Sequence, residues 1–303
     1  MHFLLYFALS LFVGLNLLVA DEESVKAFQD DRPNIIFFLT DDQRNDFLGC
    51  TGHPIVKTPR IDNLANNGRL FDNAFVSTSI CAASRATLLT GLYERTHRFT
   101  FGTPPVADIH INESYPALLK KEGYLTGFIG KFGVKVRKGA IETMFDSFVP
   151  LNRSPYFHKQ KDGSLRHETQ VAADRAIDFL DRAKNEAEPF CLSISFNASH
   201  AEDRDKKDHF PYPKVVGSLY EGVKMPAPRL ADPEVFNSQP EFLRKSMNRD
   251  RFFWRWDTEE KYQNNMRNYL RMISGIDHAI GRVIDELKSK GMDKNTVIIY
   301  MVD

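Results

Sequence analysis

Cysteine, tryptophan and any excess of one charge are all scarce in this chain, and each shortage closes off a class of function. Lys plus Arg and Asp plus Glu both number 40. No net field therefore draws nucleic acid or an anionic membrane, and an anionic partner must be recognised by a local site. Three cysteines, Cys50, Cys81 and Cys191, are too few for a disulfide framework; Cys50 and Cys191 could pair or remain free. Internal repeats and low-complexity tracts are absent, and 303 residues at 42% hydrophobic content suffice to bury a substantial core.

Long apolar runs are missing too, except at the N-terminus. Phe3 to Val19 is interrupted only by Ser10, Gly14 and Asn16, then changes at Ala20-Asp21 to a charged, polar segment. The pattern reads as a secretory signal peptide over residues 1–20, a polar lead-in over 21–31 and a domain over 32–303. The first residues carry no Lys or Arg, and Leu18 is large for its place before a cut after Ala20, so an uncleaved membrane anchor is the alternative. Either version puts the folded part outside the cytoplasm, secreted or periplasmic. Cleavage would leave no membrane span.

What is present is an alternation of short apolar runs and helical periodicity, which predicts an α/β domain with a largely parallel central sheet flanked by helices. Strands are expected at Asn34 to Leu39, Leu125 to Gly130, Phe190 to Phe196 and Thr296 to Val302, and helices over 81–90, 115–122, 168–185 and about 259–290. In the last helix Met266, Tyr269, Leu270, Ile273, Ile276, Ile280, Val283, Ile284 and Leu287 recur at three and four, a core-packing stripe, and Gly291 stands at the C-cap position. Between His200 and Thr258 the period is lost among Pro, aromatic and charged residues, as in an insertion lying over the sheet.

Ligand crevices of open α/β sheets lie beyond the carboxyl ends of the strands. The polar residues that follow the four apolar runs are Asp41 and Asp42, Lys131, His200 and Asp303. Adjacent aspartates cannot share a side of a strand, but a turn at its end can bring both to one cation. Oxygen ligands favour calcium or magnesium over zinc. An aspartate pair can also simply begin a turn; the recurrence of Asp303 at a second strand end argues for the cation. Lys131 is either a solvated lysine or a point charge for a sulfate or phosphate oxygen. His200 is either a surface histidine or a proton carrier. Cys81, set among small residues at a helix start, would feel the positive end of the helix dipole.

Other candidates are weaker. His53 and His97 fall in polar loops, and Trp254 and Trp256 could stack on a sugar, although packing is their usual role. Asp203 to Asp208 reads as a solvated loop, and Asn112, Asn152 and Asn197 fit the N-x-Ser acceptor pattern.

The string from Cys81 to Gly91, Cys-Ala-Ala-Ser-Arg-Ala-Thr-Leu-Leu-Thr-Gly, resembles the sulfatase signature C-x-(P/A)-S-R-x-x-x-L-T-G. Four more segments resemble that family in the same order. They are Arg32 to Asp42, Gly123 to Lys131, Phe196 to His200 and Asn295 to Asp303. The resemblance implies an alkaline-phosphatase-like fold and hydrolysis of a sulfate ester, of a sulfated small molecule or polysaccharide. It further implies that a maturation enzyme oxidises Cys81 to formylglycine. Hydrated, that residue would attack sulfur, and its second hydroxyl would permit elimination of sulfate. By the same resemblance Asp41, Asp42, formylglycine 81 and Asp303 would hold one calcium ion, while Arg85, Lys131 and His200 would counter charge on the sulfuryl group.

The chain departs from the family pattern in three places. Ala83 stands where many members have proline. Gly133 stands where many have a histidine two residues after the lysine. The sequence ends at Asp303, where the family continues, so the expectation is an N-terminal portion lacking its C-terminal part and unstable or inactive alone. Two other readings compete: a phosphoester or phosphonate hydrolase of the same superfamily, and a noncatalytic sulfated-glycan-binding remnant. Serine or threonine serves the phosphatases directly, so Cys81 favours the sulfatase.

Overall fold

The structure is a computed structural model and describes residues 31–186 and 188–303. The apolar run over 3–19 lies outside them, as does all of the lead-in except Asp31. The described strands, in chain order, are β1 (Asn34–Thr40), β2 (Leu125–Gly130), β3 (Ser147–Pro150), β4 (Phe157–Lys159), β5 (Leu165–His167), β6 (Phe190–Ser195) and β7 (Thr296–Val302). The longer helices are α1 (Pro59–Asn66), α2 (Cys81–Thr90), α3 (Tyr115–Lys121), α4 (Glu168–Ala183), α5 (Met247–Arg255) and α6 (Glu259–Ser289). Each strand and helix expected from the sequence is present, with ends that differ by no more than two residues. Additions include α1, α5, the short edge strand β3, the antiparallel β4–β5 pair and several helices of four or five residues.

The main sheet has the order β3-β2-β6-β1-β7, and every pairing in it is parallel. Alternation along β1 explains how both faces are covered. Ile36 and Phe38 enter one core with Leu192 and Ile194 of β6, Leu180 of α4 and Ile273, Ile276 and Ile280 of α6. Phe37 points the other way and meets Tyr115 of α3 edge-on, with ring centroids 6.3 Å apart. On that second face Phe128 of β2 packs with Ala82, Ala86 and Leu89 of α2. Each fully buried Ile or Leu stabilises by about 1.5–3 kcal/mol, so the α6 stripe alone is a major contributor. β7 forms one edge of the sheet, and Val297 and Ile299 on its outer side are exposed.

Register places the chemistry. Leu39 lies opposite Ser195, Gly130 opposite Ser195 and Thr40 opposite Val302. The residues that follow these positions therefore leave the sheet at one level, on its carboxyl edge. The 200–258 segment is partly core, since Phe210, Val216, Tyr220 and Met225 are buried. Trp256 packs 5.5 Å from Phe210 and 6.2 Å from Tyr262, which assigns it to packing. The Trp254 ring carries the Lys206 ammonium 3.0 Å from its centroid. Among the described residues no helix is long and apolar enough to cross a membrane.

Candidate active site

β1 delivers Asp41 to a fully buried position, and the chain then turns through Asp42 at φ 53°, a left-handed conformation that Asp tolerates better than most residues. That turn brings adjacent aspartates to one centre. Asp303 joins them from the end of β7, where its N–H donates to the Thr40 carbonyl at 3.2 Å and its Oδ1 accepts the Asp42 N–H at 3.3 Å. One carboxylate oxygen from each of Asp41, Asp42 and Asp303 lies within 4.8 Å of the others.

Two cations stand against this acidic group. Arg85 is buried; its Nη1 donates to the Lys131 carbonyl at 2.6 Å and to Ser195 Oγ. Arg85 Nε is 2.7 Å from Asp303 Oδ2 and Nη2 is 3.8 Å from Asp41 Oδ1, but neither approach has hydrogen-bond geometry, and both carboxylate oxygens are left without a donor. Lys131 Nζ donates to the other Asp41 oxygen. Burial opposes ionisation of Asp41, yet Lys131, Arg85 and His200 outweigh it and hold its pKa below the usual value. Asp303 goes the other way. Burial, reinforced by the nearby Asp41 charge, exceeds the help from Arg85 and Lys131 and pushes it up to about 7. Two orphaned acceptor oxygens in a trio of carboxylates of which Asp41 is fully buried are what a hard cation would satisfy, and calcium suits an all-oxygen set.

Cys81 opens α2 directly after Ile80, which is extended. Four residues on, Arg85 shares its face of the helix, so one rigid element carries both the thiol and the cation. Ala82, Ala83, Ser84 and Ala86 are all buried; their small size lets the helix sit close to the sheet. All three cysteines are unpaired in the structure. Burial pushes the Cys191 thiol up to about 12, so it is inert.

His200 follows β6 on a tight turn. Its Nδ1 lies 2.7 Å from the Ala201 carbonyl, which assigns the proton there and turns Nε2 toward Asp42 Oδ2 at 3.3 Å. A buried group that the sequence did not betray holds this turn. Glu168 Oε1 accepts the Asn197 N–H at 2.9 Å and the Asn197 Nδ2–H at 3.2 Å, while Oε2 has no donor. The Tyr156 hydroxyl sits 3.0 Å from the Asn197 carbonyl and 2.5 Å from that of His200. Burial raises Glu168 from the usual 4.5 to about 7. A folded pKa above the unfolded one gives stability that is full below about pH 4.5 and is lost as pH rises through 7. Glu168→Gln is therefore expected to match the parent near pH 4.5 and to exceed it by about 3 kcal/mol at pH 8, a difference that urea melts at the two pH values would show or refute.

Gly133 occupies the position where many members have a histidine, and the structure shows what a side chain there would press on. Its φ is +70°, and a Cβ would lie 2.9 Å from Arg85 Cδ and 3.8 Å from Lys131 Cε. Gly133→Ala or Gly133→His should thus displace a site cation, lowering kcat/KM about tenfold or more and stability by about 1 kcal/mol. Steady-state assays giving a gain in rate for Gly133→His would refute this account.

Other candidates resolve into structure. His53 Nδ1 accepts the Ile55 and Val56 N–H groups at 3.2 and 2.9 Å. His97 is not in a loop; it is buried at the end of the short helix Glu94–His97, against Thr87 Oγ1 at 3.2 Å. Asn197 is buried and cannot accept a glycan, whereas Asn112 and Asn152 are exposed. Asp203 is no solvated loop residue, since arginines surround it.

A family model described as Sulfatase matches residues 33–303. An N-acetylglucosamine-6-O-sulfatase of Bacteroides thetaiotaomicron is 27% identical over 327 residues, covering 90% of this chain and 58% of that protein. A solved structure of a protein in complex with its substrate D-glucosamine-2-N,6-O-disulfate superposes with a TM-score of 0.67 at 23% identity, covering 89% of this chain and 65% of the other. The phosphonate monoester hydrolase of Agrobacterium radiobacter shares the fold at a TM-score of 0.70 and 23% identity, over 89% and 62% of the two chains. The chain thus spans between half and two thirds of the length of these three proteins. Since the family model runs from the start of β1 through the site to Asp303, the chain belongs to the sulfatase family.

Proposed function

We propose that the protein is an exported sulfuric ester hydrolase that removes sulfate from a sulfated carbohydrate, with Cys81 matured to formylglycine and one calcium ion held by Asp41, Asp42 and Asp303. The observation that carries this reading is the convergence of three carboxylates, two of them with orphaned oxygens, with Lys131 and with Arg85, which lies one turn along the helix that Cys81 opens. Calcium, when bound, supplies Lewis-acid charge stabilisation at the sulfuryl oxygens.

The charges fit the substrate. Three carboxylates against Arg85 and Lys131 leave one negative charge in excess, which would repel an anion. A divalent cation reverses this to one positive charge in excess, the complement of a sulfate monoester. Arg85 is locked by the Lys131 carbonyl and Ser195 and stays in place, whereas Lys131, on a flexible stem, can leave Asp41 for a sulfuryl oxygen. His200, with Nδ1 fixed, presents Nε2 as the nitrogen able to carry a proton to the leaving oxygen. The carbohydrate comes from the relatives' substrates, and export from the apolar N-terminus.

Peptide mapping of the protein produced with a formylglycine-generating enzyme tests the reading directly. Residue 81 should carry an aldehyde in place of the thiol, and that preparation should turn over a sulfate ester in preference to a phosphonate monoester offered alongside. An unmodified thiol under those conditions, or preference for the phosphonate, would sink it.

A further inference from the structure

Beyond Lys131 and Gly133 the cleft widens into a cavity of about 920 Å³ whose wall carries Lys135, Arg153 and Arg204, a volume within the range of small-molecule sites. Asp203 also lines this cavity, and three guanidinium groups crowd its carboxylate. Arg255 Nη2 contacts Oδ1, while Arg153 Nη2 and Arg251 Nη2 lie 3.3 and 3.5 Å from Oδ2. The Nε–H groups of all three arginines are buried without an acceptor, and the Arg255 side chain is only 9% exposed. One carboxylate thus answers three cations. Glu202 forms no ion pair with the three among the described residues; its oxygens accept the Ser154 hydroxyl and the Arg204 N–H. Even if its charge is counted, one positive charge remains before Lys135 and Arg204 are added. Partly buried guanidinium groups short of anions are costly unless a ligand completes them, and a planar fork suits a sulfate or carboxylate.

We propose that this wall is a second anion subsite, so that the preferred substrate is a sugar carrying another anionic substituent, a sulfate or a carboxylate, beside the sulfate to be removed. Arg153, which lines the cavity, is 26% exposed, while Arg251 and Arg255 back Asp203 from outside the lining. Asp203 serves as their spacer, holding the guanidinium groups side by side against mutual repulsion. Arg153, Arg204 and Lys135 select the substrate and have no part in bond cleavage. The inference rests on the sulfated-sugar reading above.

Binding without turnover separates the two. In a Cys81→Ala background with calcium, calorimetry would compare methyl glucoside 6-sulfate, the same sugar with a second sulfate, the corresponding uronate-bearing disaccharide 6-sulfate, and inorganic sulfate. A second anion on the sugar should tighten binding about tenfold or more, the worth of a charge-assisted contact. Adding Arg153→Gln or the more exposed Arg204→Gln should remove most of that gain while leaving the monosulfated sugar within about twofold. An equal loss for both sugars, or a gain that survives both substitutions, overturns the subsite. Inorganic sulfate filling the wall as tightly as the disulfated sugar overturns its role in substrate choice. If no sulfated sugar binds at all, the proposed function fails and takes this inference with it.

Discussion

Replacing Cys81 with alanine is expected to lower sulfate-ester turnover by at least about 10⁴-fold, the scale on which loss of a covalent nucleophile acts, with little change in fold. Alanine is the best helix former, and the thiol is only half-buried at the first turn of α2, so no large cavity opens. Serine separates nucleophilicity from the aldehyde chemistry. A Cys81→Ser protein shown by mass to keep its hydroxyl could accept the sulfuryl group once, but it lacks the second hydroxyl needed to expel sulfate. The expected trace is a burst of at most one alcohol per chain followed by silence. Sustained turnover by either variant would mean that the nucleophile lies elsewhere, and chromogenic sulfate-ester assays with active-site titration would show it.

Asp41, Asp42, Lys131, His200 and Asp303 are legible as candidates in the sequence because each follows an apolar run long enough to be recognised as a strand, and the parallel register brings such strand ends to one level. Signals of a different kind were lost. Glu168 begins a helix as acidic residues often do, and nothing local reveals that tertiary packing closes over it. Ser195 is the last residue of a buried strand, and its hydroxyl matters only because Arg85, 110 positions away, reaches it. Gly133 stands where many members have a histidine, and only the tertiary structure shows that a side chain there would push on Arg85. Asp203 sat in a run of charges that reads as solvated, and its three arginines come from segments some 50 residues distant in both directions. β3, β4 and β5 are three or four residues long, too short for a period of two to rise above chance. The helix and strand pattern is written locally, whereas burial and charge compensation are not.

Calcium should act as a structural part of the domain. A ligand that binds only the folded state at 100 times its Kd adds about 2.7 kcal/mol, which for a domain of this size raises Tm by about 5–10 °C. Chelation should reverse the shift, and the cause lies in the orphaned oxygens. Without the ion, Asp41 and Asp303 crowd one another and burial leaves Asp303 near neutrality at about 7. With it, both are expected to ionise, so the stabilisation should grow as pH rises from about 6 to 8. Asp41→Asn is expected to abolish the calcium shift. It should also cost about 3–5 kcal/mol in the ion-free protein, because Lys131 and Arg85 would lose the anion that both face in a buried site. Asp42→Asn, at an exposed position, should weaken calcium without that penalty, since among the described residues its side chain pairs with His200 alone. Thermal melts in chelator and in calcium would separate the cases: a shift that persists in Asp41→Asn places the cation elsewhere, and a parent protein indifferent to both places none among these carboxylates.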